Sequence, residues 1–356
     1  MKFLLSFLIG AFALLPAWAD ISPRLPTVND RILRGDNEGF FMYVDRMKDG
    51  VNLMPWTGGT YGFVRTVVET SNGPVCIKFH EGIDIKPIKR DSNAVPLDVV
   101  RPVAPGIVVY ACSVPTRSTY GRYVVIKHET KNGPIFSLYA HLASVSCKEG
   151  QLVGTGNQIG VLGYSGVGLN KRRAHLHLEL CLMINDEFTH WYDAHIKSPN
   201  YHGNYNGQNL AGFDPVPLLM IGQKGGRVSL PDHFASLTPE YKGRIPGAKM
   251  PSIGKMYAFL IKQGNVPTSR AKSWDITFTG TGVPVALEPR AEVAAEPTLI
   301  WLRKDKVIPQ YRTNKRVTPL GGGKNCLTPS GKSYLNLYRF DRSQLPVLPE
   351  QNAPKS

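Results

Sequence analysis

The run Arg172–Leu180, RRAHLHLEL, constrains this chain more than any other stretch. Successive side chains of a β-strand point to opposite faces. Read as a strand, the run sets Leu176, Leu178, Leu180 and Leu182 on one face, and His175, His177, Glu179 and Cys181 on the other. The leucine face must be covered by a core. The other face holds two imidazoles one residue apart. Imidazole is a good zinc ligand, and catalytic zinc sites use three protein ligands and keep one position open.

The surroundings of that strand are β-type. Between residues 64 and 180 short apolar runs alternate with turns: FVRTVVET, GIVVYAC, RYVVIKHE, IFSLYAHL, QIGVLGY and AHLHLELCLM. TKNGP (130–134) separates two of them like a hairpin loop. Helical periodicity is weak here, so the expected core is all-β and mostly antiparallel. Residues 185–213 are polar, aromatic and rich in Gly and Asn, and read as a long excursion that shapes a site. GQKGGR (222–227) reads as a linker. Beyond it, IGKMYAFLIKQG reads as a short helix ended by Gly264, and SWDITFTGTGVPVAL and SYLNLYRFD read as strands. The expected organisation is a segment 1–19, an N-terminal segment 20–57, a β domain 58–220 and a C-terminal domain 221–356 that is β-rich or α+β.

Two further elements carry chemistry. FHEGIDIKP (79–87) places His80 and Asp84 four apart, on one side of a strand, with Gly82 between them. A glycine there leaves room for a ligand or substrate to approach. Two imidazoles and a carboxylate make a ligand set suited to catalytic zinc. The bland alternative pairs His80 and Asp84 as a salt bridge. The third element is SLYAHLAS (137–144), where His141 ends a β run. A lone histidine at a strand end is ordinarily structural.

Together, His80-x-x-x-Asp84, YAHL at 139–142 and His175-x-His177 resemble the lysostaphin/LytM-type zinc metallopeptidases, peptidase family M23. The resemblance covers roughly residues 58–220: VAPGIVVYA, GRYVVIKHE, YAHL, EGQLVGTGNQIGVLGYSG, AHLHLEL and FDPVPLL follow in the family's order. It implies an antiparallel LytM-type sheet and one zinc per chain held by His80, Asp84 and His177. It also implies His141 and His175 as the catalytic histidines. Of these, His175 is favoured as the base and His141 as the group that orients water or stabilises the transition state, although the two are exchangeable on sequence alone. The implied activity is hydrolysis of peptide bonds in peptidoglycan cross-bridges or stem peptides. His128 reads as structural. Lys171, Arg172 and Arg173 stand where the family commonly has small residues, and are read as altering the groove or contacting an anionic substrate. His190, His195 and His202 read as solvated loop histidines.

Composition decides where such a protein works. The first residues pair Lys2 with an apolar run that breaks at Pro16 and ends Ala17-Trp18-Ala19. This pattern predicts a secretory signal cut after Ala19, because a membrane span needs about 20 apolar residues. The mature chain is expected to be exported and to lack a span. The net charge is +15. Residues 221–356 hold 21 Lys and Arg against 9 Asp and Glu, a difference of +12. A basic surface on an exported protein points to an anionic partner, a cell-wall polymer, a lipid headgroup or nucleic acid, against the plainer reading that scattered charge only keeps the protein soluble. With the family resemblance, the expected partner is peptidoglycan or another anionic cell-envelope polymer and not nucleic acid. Five cysteines leave at least one unpaired; the layout of strands suggests Cys112–Cys147 as a disulfide. Two other readings compete with the enzyme: a non-catalytic LytM-like regulator of wall hydrolases, and a polymer-binding module. All five expected site positions are filled, which argues against the regulator.

Overall fold

The computed structural model describes residues 20–320 and 322–344, so the proposed signal segment lies outside the described residues. Strands β1 (Gly62–Thr70) and β2 (Gly73–His80) pair as an antiparallel hairpin turned at Ser71-Asn72. Two residues later the chain enters β3 (Ile83–Ile85). Then come β4 (Gly106–Cys112), β5 (Tyr123–His128), β6 (Ile135–Ala140), β7 (Leu176–Met183) and β8 (Leu210–Phe213). A seven-stranded sheet runs from the short strand Leu152–Val153 through β4, β5, β6, β7 and β8, with β3 alongside β7. Every pairing in it is antiparallel. The expected antiparallel, predominantly β architecture is what the chain adopts.

β7 is central, and all eight of its residues are buried. Its leucine face joins Ile83, Ile85, Val124, Ile126, Ile135 and Tyr139 in the main core. Burying such a side chain contributes about 1.5–3 kcal/mol each. Its other face is also covered: Cys112, Tyr123, Val125, Phe136 and Cys181 form a second apolar cluster. The histidines therefore lie in a sheet packed on both sides.

The 185–213 excursion contains α1 (Phe188–His195) and two short 3-10 turns, so it is more ordered than a loop reading implies. GQKGGR is the end of α2 (Pro215–Gln223) and the turn that follows, and Val228 then bridges to Ile21. The C-terminal part holds a four-stranded antiparallel sheet. Its strands are β9 (Tyr241–Pro246), β10 (Ser273–Phe278), β11 (Pro284–Arg290) and β12 (Thr298–Leu302), in the order β11-β10-β9-β12. IGKMYAFLIKQG makes a helical turn at Ser252–Met256 and a 3-10 turn at Ala258–Leu260. SYLNLYRFD is not a strand: it belongs to α3 (Pro329–Arg339). The helix starts where the Thr328 hydroxyl accepts from the Gly331 amide and Pro329 occupies the first turn. Leu335 and Tyr338, three apart, then face the core.

The main core is continuous from Ile21 to Phe340. Asn185 ties the end of β7 to α3 by donating to the Leu337 and Phe340 carbonyls at 2.8 and 3.0 Å. The Tyr257 hydroxyl accepts from the Met183 amide at 3.0 Å.

The expected Cys112–Cys147 disulfide does not form, and all five cysteines are free thiols. Cys112 faces the second apolar cluster, whereas Cys147 packs on the main core. The two thiols instead approach separate carbonyls, Val114 and Ile159.

Candidate metal centre

Register brings the site together. His177 of β7 stands opposite Asp84 of β3 on one side and Ala140 of β6 on the other. Side chains opposite one another in neighbouring strands share a face, so Asp84 is aimed at His177. His141 follows Ala140 with a left-handed backbone, φ 62. This conformation is uncommon for a residue with a Cβ and recurs at functional sites. Its amide donates to the Tyr120 carbonyl at 2.9 Å.

His80 and Asp84 do not share one strand. His80 closes β2 in the hairpin, and Asp84 lies in β3 of the large sheet. Gly82 between them serves packing, not ligand access: a Cβ there would lie 2.3 Å from the Leu178 carbonyl oxygen and 2.9 Å from the Glu179 side chain. The glycine lets β3 close on β7 and so sets the distance from Asp84 to His177.

Three imidazoles converge on Asp84, a fourth, His141, packs against His175 and His177, and each ring has its remote nitrogen engaged. His80 Nδ1 donates to the Thr60 carbonyl (2.7 Å), His141 Nδ1 to Ser165 (2.9 Å) and His175 Nδ1 to Arg173 (2.6 Å). His177 Nε2 donates to Glu179 Oε1 (2.9 Å). Carbonyls and carboxylates only accept, so these contacts fix the tautomers. The inward nitrogens of the neutral rings are then lone pairs. His80 Nε2 is 3.1 Å from His177 Nδ1, and Asp84 Oδ1 lies 3.1 Å and 2.9 Å from these two atoms. Asp84 Oδ1 is 3.4 Å from His175 Nε2.

Three lone-pair atoms about 3 Å apart in a buried site repel one another unless a cation lies between them. Tetrahedral zinc with bonds of about 2.0–2.1 Å spaces its ligand atoms by about 3.3 Å. His80, Asp84 and His177 therefore fit a metal ion, and their ligand atoms all fall within 4.8 Å of one another. Glu81, His177 and Glu179 meet the same distance limit, but the Glu179 oxygens are already taken. Oε1 accepts from His177 and from the Tyr120 hydroxyl (2.6 Å), and Oε2 from the Cys181 thiol (3.3 Å).

Electrostatics sort the four rings. Burial opposes a charge on His177, but its hydrogen bonds to Asp84 and Glu179 outweigh burial and raise it to about 10. Burial pushes His175 down to about 4, against the pull of Asp84. Burial, then the neighbouring His175 and His177, hold His141 well below its ordinary value. His141 and His175 are thus neutral acceptors, with ring centroids 4.9 Å apart.

Several side chains stand apart from this cluster. His128 is buried between the Pro105 carbonyl (2.9 Å) and the Ser137 hydroxyl (2.7 Å). His195 donates to the Trp191 carbonyl, His202 contacts the Tyr110 hydroxyl, and neither these nor His190 joins a metal-type group among the described residues. Arg172 spends its guanidinium on Asp45, at 2.9 and 3.0 Å, so it is not a free anion contact. Two residues were not singled out by sequence reasoning. Glu179 was visible as the next residue on the His175/His177 face. Arg65, which donates to Asp84 Oδ2, had no sequence signal, because it sits inside what reads as an ordinary strand.

Fold and site together define an antiparallel β domain built around a two-histidine, one-carboxylate centre. Residues 78–187 match Peptidase family M23, so the chain carries an M23 peptidase domain over that range. No curated protein matches the chain. Among solved structures, the catalytic domain of the prophage-encoded M23 protein EnpA from Enterococcus faecalis is 25% identical, over 35% of this chain and 86% of that one, with a TM-score of 0.24. The catalytic domain of the antimicrobial peptidase lysostaphin from Staphylococcus simulans is 20% identical, over 46% and 95%, with a TM-score of 0.27. A zinc-containing peptidase from Vibrio cholerae is 23% identical over 40% of this chain, with a TM-score of 0.23. This chain spans 36% of the Vibrio cholerae protein. Among the described residues, no helix is long and apolar enough to cross a membrane.

Proposed function

We propose that this protein is an exported zinc-dependent endopeptidase that hydrolyses peptide bonds of peptidoglycan, in cross-bridges or stem peptides. The observation that supports this reading best is the meeting of three ring-and-carboxylate lone pairs in one buried site, beside two further neutral imidazoles. In this reading His80 Nε2, Asp84 Oδ1 and His177 Nδ1 hold one zinc ion. Bound zinc supplies Lewis acidity, which polarises a carbonyl and activates water at neutral pH.

The chain's own groups do the rest. Glu179 holds the His177 ring in its tautomer, the usual task of a carboxylate behind a metal-bound imidazole. His175 accepts the proton of the attacking water at Nε2, because its Nδ1 is anchored to Arg173 and its Nε2 lies beside Asp84. His141, neutral and anchored at Nδ1 to Ser165, orients the water and stabilises the charge developing on the carbonyl oxygen. Residues 58–220 form the catalytic unit. The basic region 221–356 holds the enzyme on an anionic wall polymer, and the segment 1–19 directs export.

Purified sacculi give the test. The enzyme clears their turbidity, loses that activity with a chelator and carries close to one zinc per chain. Zinc at that level without clearing would favour the non-catalytic regulator. Polymer binding by the chain with neither zinc nor clearing would favour the binding module.

A further inference from the structure

We infer that Arg65 is a positioning residue that commits one oxygen of Asp84, leaving the other as the single carboxylate donor to the metal. The inference rests on the metal centre proposed above. Asp84 is buried, and its two oxygens have separate duties. Oδ1 faces His80, His175 and His177 at 2.9–3.4 Å. Oδ2 accepts from the Arg65 guanidinium at 2.5 Å. The same guanidinium is fixed from behind, its Nε donating to the Gly58 carbonyl at 3.0 Å. The guanidinium fork holds both contacts at once, whereas a lysine ammonium in its place keeps only the one to Oδ2.

The hairpin is distorted to deliver this contact. β1 and β2 pair regularly from Thr70/Gly73 back to Val67/Cys76, and the register shifts between Phe63 and Arg65. Thr66, next to the bulge, has φ 52. A β-branched residue is a poor fit to that conformation. Bulges near active sites re-aim side chains, and this one turns Arg65 off the hairpin and onto Asp84. A plain structural ion pair would fix the hairpin equally well without dividing the carboxylate. The division is the feature that bears on coordination: a carboxylate free at both oxygens can bind a metal through both, whereas this one offers Oδ1 alone.

Cobalt(II) replacing zinc reports coordination number through the intensity of its visible absorption, which falls as ligands are added. In Arg65→Met, Oδ2 is released, the cobalt absorption weakens, and kcat/KM on sacculi falls about ten- to a hundred-fold, the usual effect of losing an outer-shell partner. Arg65→Lys, which keeps a charged donor, restores intensity toward that of the unaltered chain. If Arg65→Met does not fold by circular dichroism, Arg65→Gln, neutral and shorter, shows the same direction of change. A folded Arg65→Met whose cobalt spectrum superimposes on the unaltered spectrum overturns the inference, as does an Arg65→Lys spectrum no closer to the original than that of Arg65→Met. Failure of the unaltered chain to bind cobalt defeats the metal centre itself, a separate and recognisable result.

Discussion

His177 is held at both ring nitrogens, by Asp84 on one side and Glu179 on the other. Replacing Glu179 with Ala frees the ring to rotate and removes the acceptor that fixes its tautomer. Zinc affinity should fall about ten- to a hundred-fold, read by competition with a chromophoric chelator. Unchanged affinity would remove Glu179 from the site. The division of labour among the other residues is tested by metal analysis. His80→Ala and Asp84→Ala should lose zinc, whereas His141→Ala and His175→Ala should keep it and lose rate. Full zinc retention in the first pair contradicts the ligand assignment. His128 carries a different prediction. Burial pushes it to about 4, from 6.5. A histidine depressed in the folded state takes up its proton more readily when unfolded. Its share of stability is therefore complete above pH 6.5 and lost as the pH falls toward 4, a difference of about 3 kcal/mol. Thermal unfolding at pH 7 and pH 4 measures this, and His128→Gln should narrow the gap. An unaltered gap would assign the acid sensitivity elsewhere.

At the level of elements, the β7 strand was legible in the sequence because its leucines and histidines alternate without interruption. The two-sided burial was not, since nothing local in HLHLEL tells that a second apolar cluster forms on the histidine face beside the imidazoles. The His80–Asp84 pair was found for a partly mistaken reason: the spacing is right, but a turn at Glu81-Gly82 transfers the chain between sheets. Gly82→Ala separates the two accounts. If the glycine merely admits a ligand, alanine weakens binding and leaves stability alone. With the Leu178 carbonyl 2.3 Å from the new Cβ, urea unfolding should instead show a loss of about 1–3 kcal/mol. SYLNLYRFD misled because its aromatic residues favour strands, while the Thr328-Pro329 start that makes it α3 lies outside the run. The bulge that aims Arg65 escaped for a similar reason, since register shifts are settled between strands and leave no mark in one of them.

Across the whole molecule, the continuous core from Ile21 to Phe340 joins the large sheet to the C-terminal sheet. The Asn185 and Tyr257 hydrogen bonds reinforce that joint. Calorimetry should therefore record one unfolding transition, and two well-separated transitions would show that the sheets are energetically independent. The arrangement also explains why a site drawn from residues nearly a hundred positions apart holds its geometry: β3, β6 and β7 are adjacent in one sheet packed on both faces. Diffraction from zinc-soaked crystals, recorded at the zinc absorption edge, tests the central claim most directly. A single anomalous peak bounded by His80 Nε2, Asp84 Oδ1 and His177 Nδ1 is the predicted result. A peak elsewhere, or none at that position with the metal in excess, would contradict it.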